Sequence, residues 1–234
     1  MVSYSFYEVY ITAQRAFTAM GFPYGSDEDA AFIIAWLELN NFQGAILLAN
    51  LINELDQKYE GKIKINNLKE KINFQNKSIL MKGAGLIDFM NAELKNKNKI
   101  SVKIINCKDG ILFLPLLYKT SKNVNLNKLI YCDSNNEINT YDIIDNEIIF
   151  YRKKNNGLLN QNTVSIVMDS KKENCKNLMK NKIISEKKIQ QNLSQSLTPE
   201  ADSWDKIMKI ANKTFVPESD ESRNKGAGGG DDND

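Results

Sequence analysis

The residue types best suited to bind charge in this chain are gathered at its end, in the stretch SRNKGAGGGDDND. Glycine and arginine are scarce elsewhere, yet four of the twelve glycines and Arg223 fall here. Successive N–H groups of a glycine-rich stretch can turn inward as a nest for an anion, and a guanidinium beside them can hold carboxylate or phosphate through two bonds. The expected ligand-binding set is therefore Ser222, Arg223, Gly226, Gly228, Gly229 and Gly230. Three other uses of the same residues stay open. A Gly-rich acidic end also suits a solvated terminus. It suits a strap laid against the body or a subunit, with Arg223 paired to an acid. Asp231, Asp232, Asn233 and Asp234 are hard oxygen ligands, but no twelve-residue calcium loop surrounds them and no metal site is expected.

Elsewhere the chemistry is limited by an absence: the chain has no histidine. Serine and cysteine triads that use imidazole are excluded, as are most zinc sites, so proton transfer would fall to a carboxylate or a lysine. Cys107, Cys132 and Cys175 are widely spaced and odd in number, which argues against a disulfide framework or a C-x-x-C site and for reduced thiols in packing roles. MKGAGLIDF places Gly83 and Gly85 between an expected strand and an expected helix, where their amides could meet an anion. That spacing fits neither nucleotide fingerprint, so a plain strand-to-helix turn is expected, with Asp88 one turn later.

These groups sit in a chain of 234 residues that is 42% hydrophobic and 26% charged, values of an ordinary folded protein. A net charge of +2 with dispersed lysines predicts no nucleic-acid partner. Apolar runs such as AAFIIAWL and ILFLPLLY are too short for a membrane span, and the start MVSYSFYEVY has no secretory pattern, so a cytoplasmic location is expected.

The elements that must position the tail form an α+β fold. Residues 1–60 read as a three-helix module: Ser5 and Glu8 have capping-box spacing, Ser26 and Asp29 repeat it, and a third helix runs from about Gly44 to Tyr59. Residues 61–168 read as a mainly antiparallel sheet built from KIKI, KINF, ISVKII, KLIYC, INTYDI, EIIFY and TVSIVM. Hairpin turns are expected at Asn135-Asn136 and Asp145-Asn146, and inserted helices at GLIDFMNAEL and near Pro115. Residues 169–197 are a polar linker with an exposed helix. Residues 198–234 hold a C-terminal helix opened by Thr198, Pro199 and Glu200, then the Gly-rich tail, packed on the body. Phe32, Trp36, Trp204 and Phe215 are expected core residues.

The two ends, VSYSFYEVY through GAILLANLI and WDKIMKIANKTFVPESDESRNKGAGGGDDND, resemble a bacterial family catalogued as domain of unknown function 3726. The carrying features at the C-terminus are a tryptophan-bearing helix, an aromatic-Val-Pro step, Ser-Arg, a Gly-Ala-Gly run and a closing Asp-Asn-Asp. The N-terminal helices also resemble the non-Rossmann malate, lactate and ureidoglycolate dehydrogenases. Their x-Gly-x-x-Ser-His-Gly step, which supplies the catalytic histidine, is matched here by FQGAILLAN, with Leu47, Leu48 and Ala49 in place of Ser, His and Gly. The resemblance implies loss of that chemistry.

Two functions follow as expectations. One is a non-catalytic partner or small subunit in bacterial small-molecule metabolism, its tail forming or covering a site on itself, on a companion enzyme or in a homo-oligomer. The other is a stand-alone enzyme acting on a small carboxylate or phosphate, with Arg223 and tail amides binding the anion. Neither names a cofactor.

Overall fold

The computed structural model describes residues 2–65, 71–171 and 182–215. The expected tail residues Ser222, Arg223, Gly226, Gly228, Gly229 and Gly230, together with Cys175, lie outside the described residues.

Three helices open the chain: α1 (Phe6–Ala19), α2 (Ser26–Leu39) and α3 (Gly44–Leu55). The capping box at α1 is formed as expected, with Glu8 N–H donating to Ser5 Oγ at 3.2 Å and Ser5 N–H to Glu8 Oε2 at 2.7 Å. Such a cap contributes about 1 kcal/mol. The repeat expected at Ser26 is not: Gly25 caps α2 without a side-chain bond, and the Ser26 hydroxyl pairs instead with the Tyr59 hydroxyl at 2.8 Å. α3 also ends earlier than expected, because Asp56 leaves the helical region at ψ 118°.

Next come β1 (Ile72–Asn73), α4 (Ile79–Leu94), β2 (Lys99–Ile105) and α5 (Leu114–Thr120). KIKI forms no strand. α4 begins six residues before the expected start, where Ser78 Oγ accepts from Leu80 N–H at 3.2 Å. Gly83 and Gly85 are consequently inside the helix rather than in a turn, and their amides are not at its N-terminus. α5 starts with Pro115 in its first turn, where the missing N–H costs nothing.

A meander of β3 (Leu126–Cys132), β4 (Glu137–Ile144) and β5 (Glu147–Lys154) follows, then β6 (Val164–Asp169) and β7 (Lys182–Ile184). The expected turns are present: Asn136 has φ 58°, and Asp145 and Asn146 have φ 50° and 61°, the double left-handed pattern of a two-residue hairpin. The sheet order is β1-β2-β6-β3-β4-β5-β7, with β1 parallel to β2 and every other pair antiparallel. One face of the sheet carries Val102, Ile104, Ile166, Leu129, Tyr141 and Ile143, all buried in the main core with residues from the helices. α4 and α5 pack on strands of that sheet.

The stretch read as linker supplies β7 at the sheet edge and α6 (Glu186–Leu193). α7 (Ala201–Ala211) is capped by Glu200, whose carboxylate accepts from Asp202 and Ser203 N–H groups at 3.1 and 2.8 Å. Trp204 is buried as expected, Ile207 and Ala211 are buried beside it, and α7 lies on α1 and α3. Tyr4 and Leu197 exchange two backbone bonds of 2.8 and 2.7 Å, and the Tyr4 ring sits 4.9 Å from Trp204. The N-terminal and C-terminal helices are thus one packed unit, each large buried side chain contributing about 1.5–3 kcal/mol. Phe215 departs from its expected core role: it is 53% exposed and lies under the Arg15 guanidinium at 4.8 Å.

Candidate functional site

Because β6 is antiparallel to both β2 and β3, the end of β2, the end of β3 and the start of β6 meet at one rim of the sheet: Ile104 and Tyr131 both pair with Val164. The loops that leave this rim enclose a cleft of about 440 Å³. Its walls are Cys107 to Ile111 after β2, Tyr131 to Ser134 at the end of β3 and just beyond it, Gln161 to Val164 leading into β6, and Leu47 of α3. Cys107 N–H donates to the Asn162 carbonyl at 2.9 Å, tying two walls together.

Three loop residues here, Asn106, Asp109 and Asn162, are left-handed at φ 53°, 54° and 56°. Asn and Asp are the non-glycine residues that tolerate this region best. Gly110 is required for a different reason. A Cβ there would lie 2.5 Å from Tyr131 Cγ, so only glycine lets the loop rest on the ring.

The electrostatics decide which groups remain available for chemistry. Burial, reinforced by the charge of Asp109, pushes the Cys107 thiol far up, so it stays protonated and unreactive. Burial does the same to the Tyr131 phenol. Cys132 Sγ accepts from Asn155 Nδ2 at 3.3 Å, a packing contact rather than an activating one. Asp133 is spent on shaping its turn. Its Oδ1 accepts from Asn135 and Glu137 N–H groups at 3.0 Å, and its Oδ2 from Asn139 Nδ2 at 2.8 Å.

Asp109 differs. Burial holds its carboxyl above the usual value, the nearby Glu54 charge raises it further, and Lys108 opposes both. Lys108 itself reaches Glu54 at 3.6 Å. The cleft therefore presents one carboxyl biased toward its protonated form, one ammonium at the mouth, and the buried Thr163. Such a set can hydrogen-bond a small polar molecule and donate a proton to it. Among the described residues, no group of three His, Cys, Asp or Glu side chains is placed to hold a metal ion, and no helix is long and apolar enough to cross a membrane.

Of the residues singled out in sequence, the structure brings Cys107 and Cys132 to this cleft and leaves Gly83, Gly85 and Asp88 on α4, away from it. Lys108, Asp109 and Thr163 were not anticipated. The one sequence signal for Lys108 and Asp109 is the run NCKDG, polar turn residues between a strand and an apolar helix, which marks a loop but no chemistry, and Thr163 opens the expected strand TVSIVM with no signal of its own.

In fold, the chain is similar to an E. coli protein assigned to the malate/lactate dehydrogenases, with a TM-score of 0.65 at 8% identity over 93% of this chain and 97% of that one. It is also similar to malate dehydrogenase from Entamoeba histolytica (TM-score 0.60, 5% identity, 93% and 99% covered). Sulfolactate dehydrogenase from Methanocaldococcus jannaschii matches likewise (TM-score 0.60, 8% identity, 91% and 97% covered). At these identities the likeness is one of fold, and it is the likeness expected from the N-terminal helices. No curated protein sequence matches the chain. Residues 4–101, which contain α1 through α4 and the start of β2, match the family model described as Protein of unknown function (DUF3726), as the N-terminal sequence led us to expect.

Proposed function

We propose that this protein is a non-catalytic partner or small subunit in small-molecule metabolism, in which a dehydrogenase-like fold keeps a ligand cleft without histidine chemistry. One observation carries the reading. At the step where the dehydrogenases resembled by the N-terminus have Ser-His-Gly, this chain has Leu47, Leu48 and Ala49; Leu47 faces the cleft and Leu48 is fully buried. An apolar wall has replaced the proton-transferring one. The ligand class is a small polar molecule that pairs with Lys108 and the Asp109 carboxyl. In this reading the tail keeps the role its composition suggests, with Ser222, Arg223 and the amides of Gly226, Gly228, Gly229 and Gly230 contacting an anionic group.

The test uses the purified full chain, titrated calorimetrically with malate, lactate, succinate and inorganic phosphate and assayed in parallel for nicotinamide-dependent oxidation of the two hydroxy acids. Saturable binding without turnover is expected, weakened by Leu47→Arg at the cleft and by Arg223→Ala in the tail. Turnover by the chain alone would refute the non-catalytic role. Absence of binding to all four would refute the ligand class. The raised carboxyl of Asp109 favours a second reading, a stand-alone enzyme on a small carboxylate or phosphate with Asp109 as proton donor. Turnover abolished by Asp109→Asn is its signature.

A further inference from the structure

A second concavity shares no residue with the cleft. It is an open dish of about 380 Å³ between the outer faces of α1 and α2, beside the end of α5. Its floor and rim are aromatic, with Tyr7, Tyr10 and Phe32, and Tyr7 leaves 68% of its surface in water. Two acids, Glu28 and Asp29, stand at the same surface. Acids in the first turn of α2 suit its positive end, but that accounts for neither the aromatic rings nor the cation found with them. Lys119 of α5 hangs over the dish, its ammonium 5.4 Å from the centre of the Phe32 ring and 3.8 Å from Asp29 Oδ1.

Both contacts are long, and the Lys119 side chain remains 61% exposed. Glu28 makes no ion pair among the described residues. Burial raises the Asp29 carboxyl, Lys119 opposes this, and the charges of Asp88 and Glu28 add to the rise. The dish thus holds more negative charge than its single ammonium offsets, together with ring faces that attract cations.

We propose that this dish docks a lysine or arginine side chain of a partner protein, its charge lying over Phe32 and between Glu28 and Asp29, where Lys119 acts as a weak internal competitor. Charge complementarity selects a cation. The open rim selects one carried on a protein surface, because a free small ammonium in so exposed a site keeps its water and gains little from the rings. Lys119 shows that a long aliphatic stem ending in an ammonium fits the geometry.

The experiment is a tyrosine-fluorescence titration of the full chain at low salt with tetralysine, tetraglutamate and methylammonium chloride. Tetralysine is expected to bind saturably and tetraglutamate not at all. Lys119→Ala, which removes the competitor, should tighten tetralysine binding about two- to fivefold. Glu28→Gln should weaken it with the melting temperature unchanged, and the Glu28→Gln, Asp29→Asn double variant should abolish it. The proposal is overturned if Lys119→Ala leaves binding unchanged or weaker, or if Glu28→Gln has no effect. It is overturned equally if methylammonium binds as tightly as tetralysine, since the site would then be one for free cations.

Discussion

Gly44, the first residue of α3, offers the sharpest test of how the helical module is held together. A Cβ at this position would press on the Ile34 carbonyl oxygen and lie 3.1 Å from Ile34 C and 2.9 Å from Glu38 N, all of them backbone atoms of α2. No rotamer change can relieve such a clash, so Gly44→Ala must push α3 off α2 by on the order of 1 Å. A gap of that size forfeits a quarter to a half of the dispersion attraction across the interface. It also pulls Ala45 N–H away from Glu38 Oε2, now at 2.9 Å. We expect a loss near the upper end for overpacking, about 3 kcal/mol, offset by up to about 1 kcal/mol of improved helix propensity. The net, roughly 2 kcal/mol, lowers the melting temperature of a chain this size by about 4–8 °C. Gly85→Ala is the matched control, because a Cβ there meets nothing within 4 Å in the middle of α4. It should raise the melting temperature by about 1–4 °C. Calorimetric melts of both variants decide the matter. If Gly44→Ala melts at or above the parent, close packing of α2 on α3 is not what retains this glycine.

Asp109 makes stability depend on pH with a definite sign. Its carboxyl is raised on folding, so the folded chain binds that proton more tightly than the unfolded chain. Its contribution is most favourable below the unfolded value of 3.8 and is lost as pH rises through the folded value. Asp109→Asn, compared with the parent by urea unfolding, should therefore gain relative stability between pH 3 and pH 7; a constant or shrinking difference would contradict the burial argument. The thiols should separate by reactivity. In a Cys175→Ser background Cys132, half-buried, should react with a disulfide reagent in the native protein, whereas Cys107 should react only on unfolding. Equal rates would show that the loop after β2 opens.

The helices were legible because their signals are local. Ser5 and Glu8 specify a cap by spacing alone, and Glu200 marks the start of the C-terminal helix that buries Trp204. The hairpin turns at Asn136 and at Asp145-Asn146 were legible because left-handed positions draw on few residue types. What failed depended on neighbours far away in sequence. Ser26 looks like a cap until Tyr59, thirty-three residues on, takes its hydroxyl. Gly83 looks like a turn residue, but a Cβ there would lie 2.6 Å from the Ile79 side chain and 3.3 Å from that of Leu116, so its smallness answers a packing need inside α4. The cleft was the least legible part. Asp109 and Thr163 come from loops more than fifty residues apart, and only the strand order brings them to one rim.

That strand order also governs how the chain can assemble. β3, β4 and β5 pair with their sequence neighbours and can form early as hairpins, each closing a short loop. β2 has no such partner beyond the two-residue β1; Val102 waits for Ile166, and β6 must at the same time accept β3 along its other edge. Until β6 arrives, the sheet exists as two unconnected pieces with open edges, the arrangement that slows folding and invites intermolecular pairing. A chain being synthesised stays in that state until Asp169 has left the ribosome, so β6 is the step at which a meander and a separate strand become one sheet.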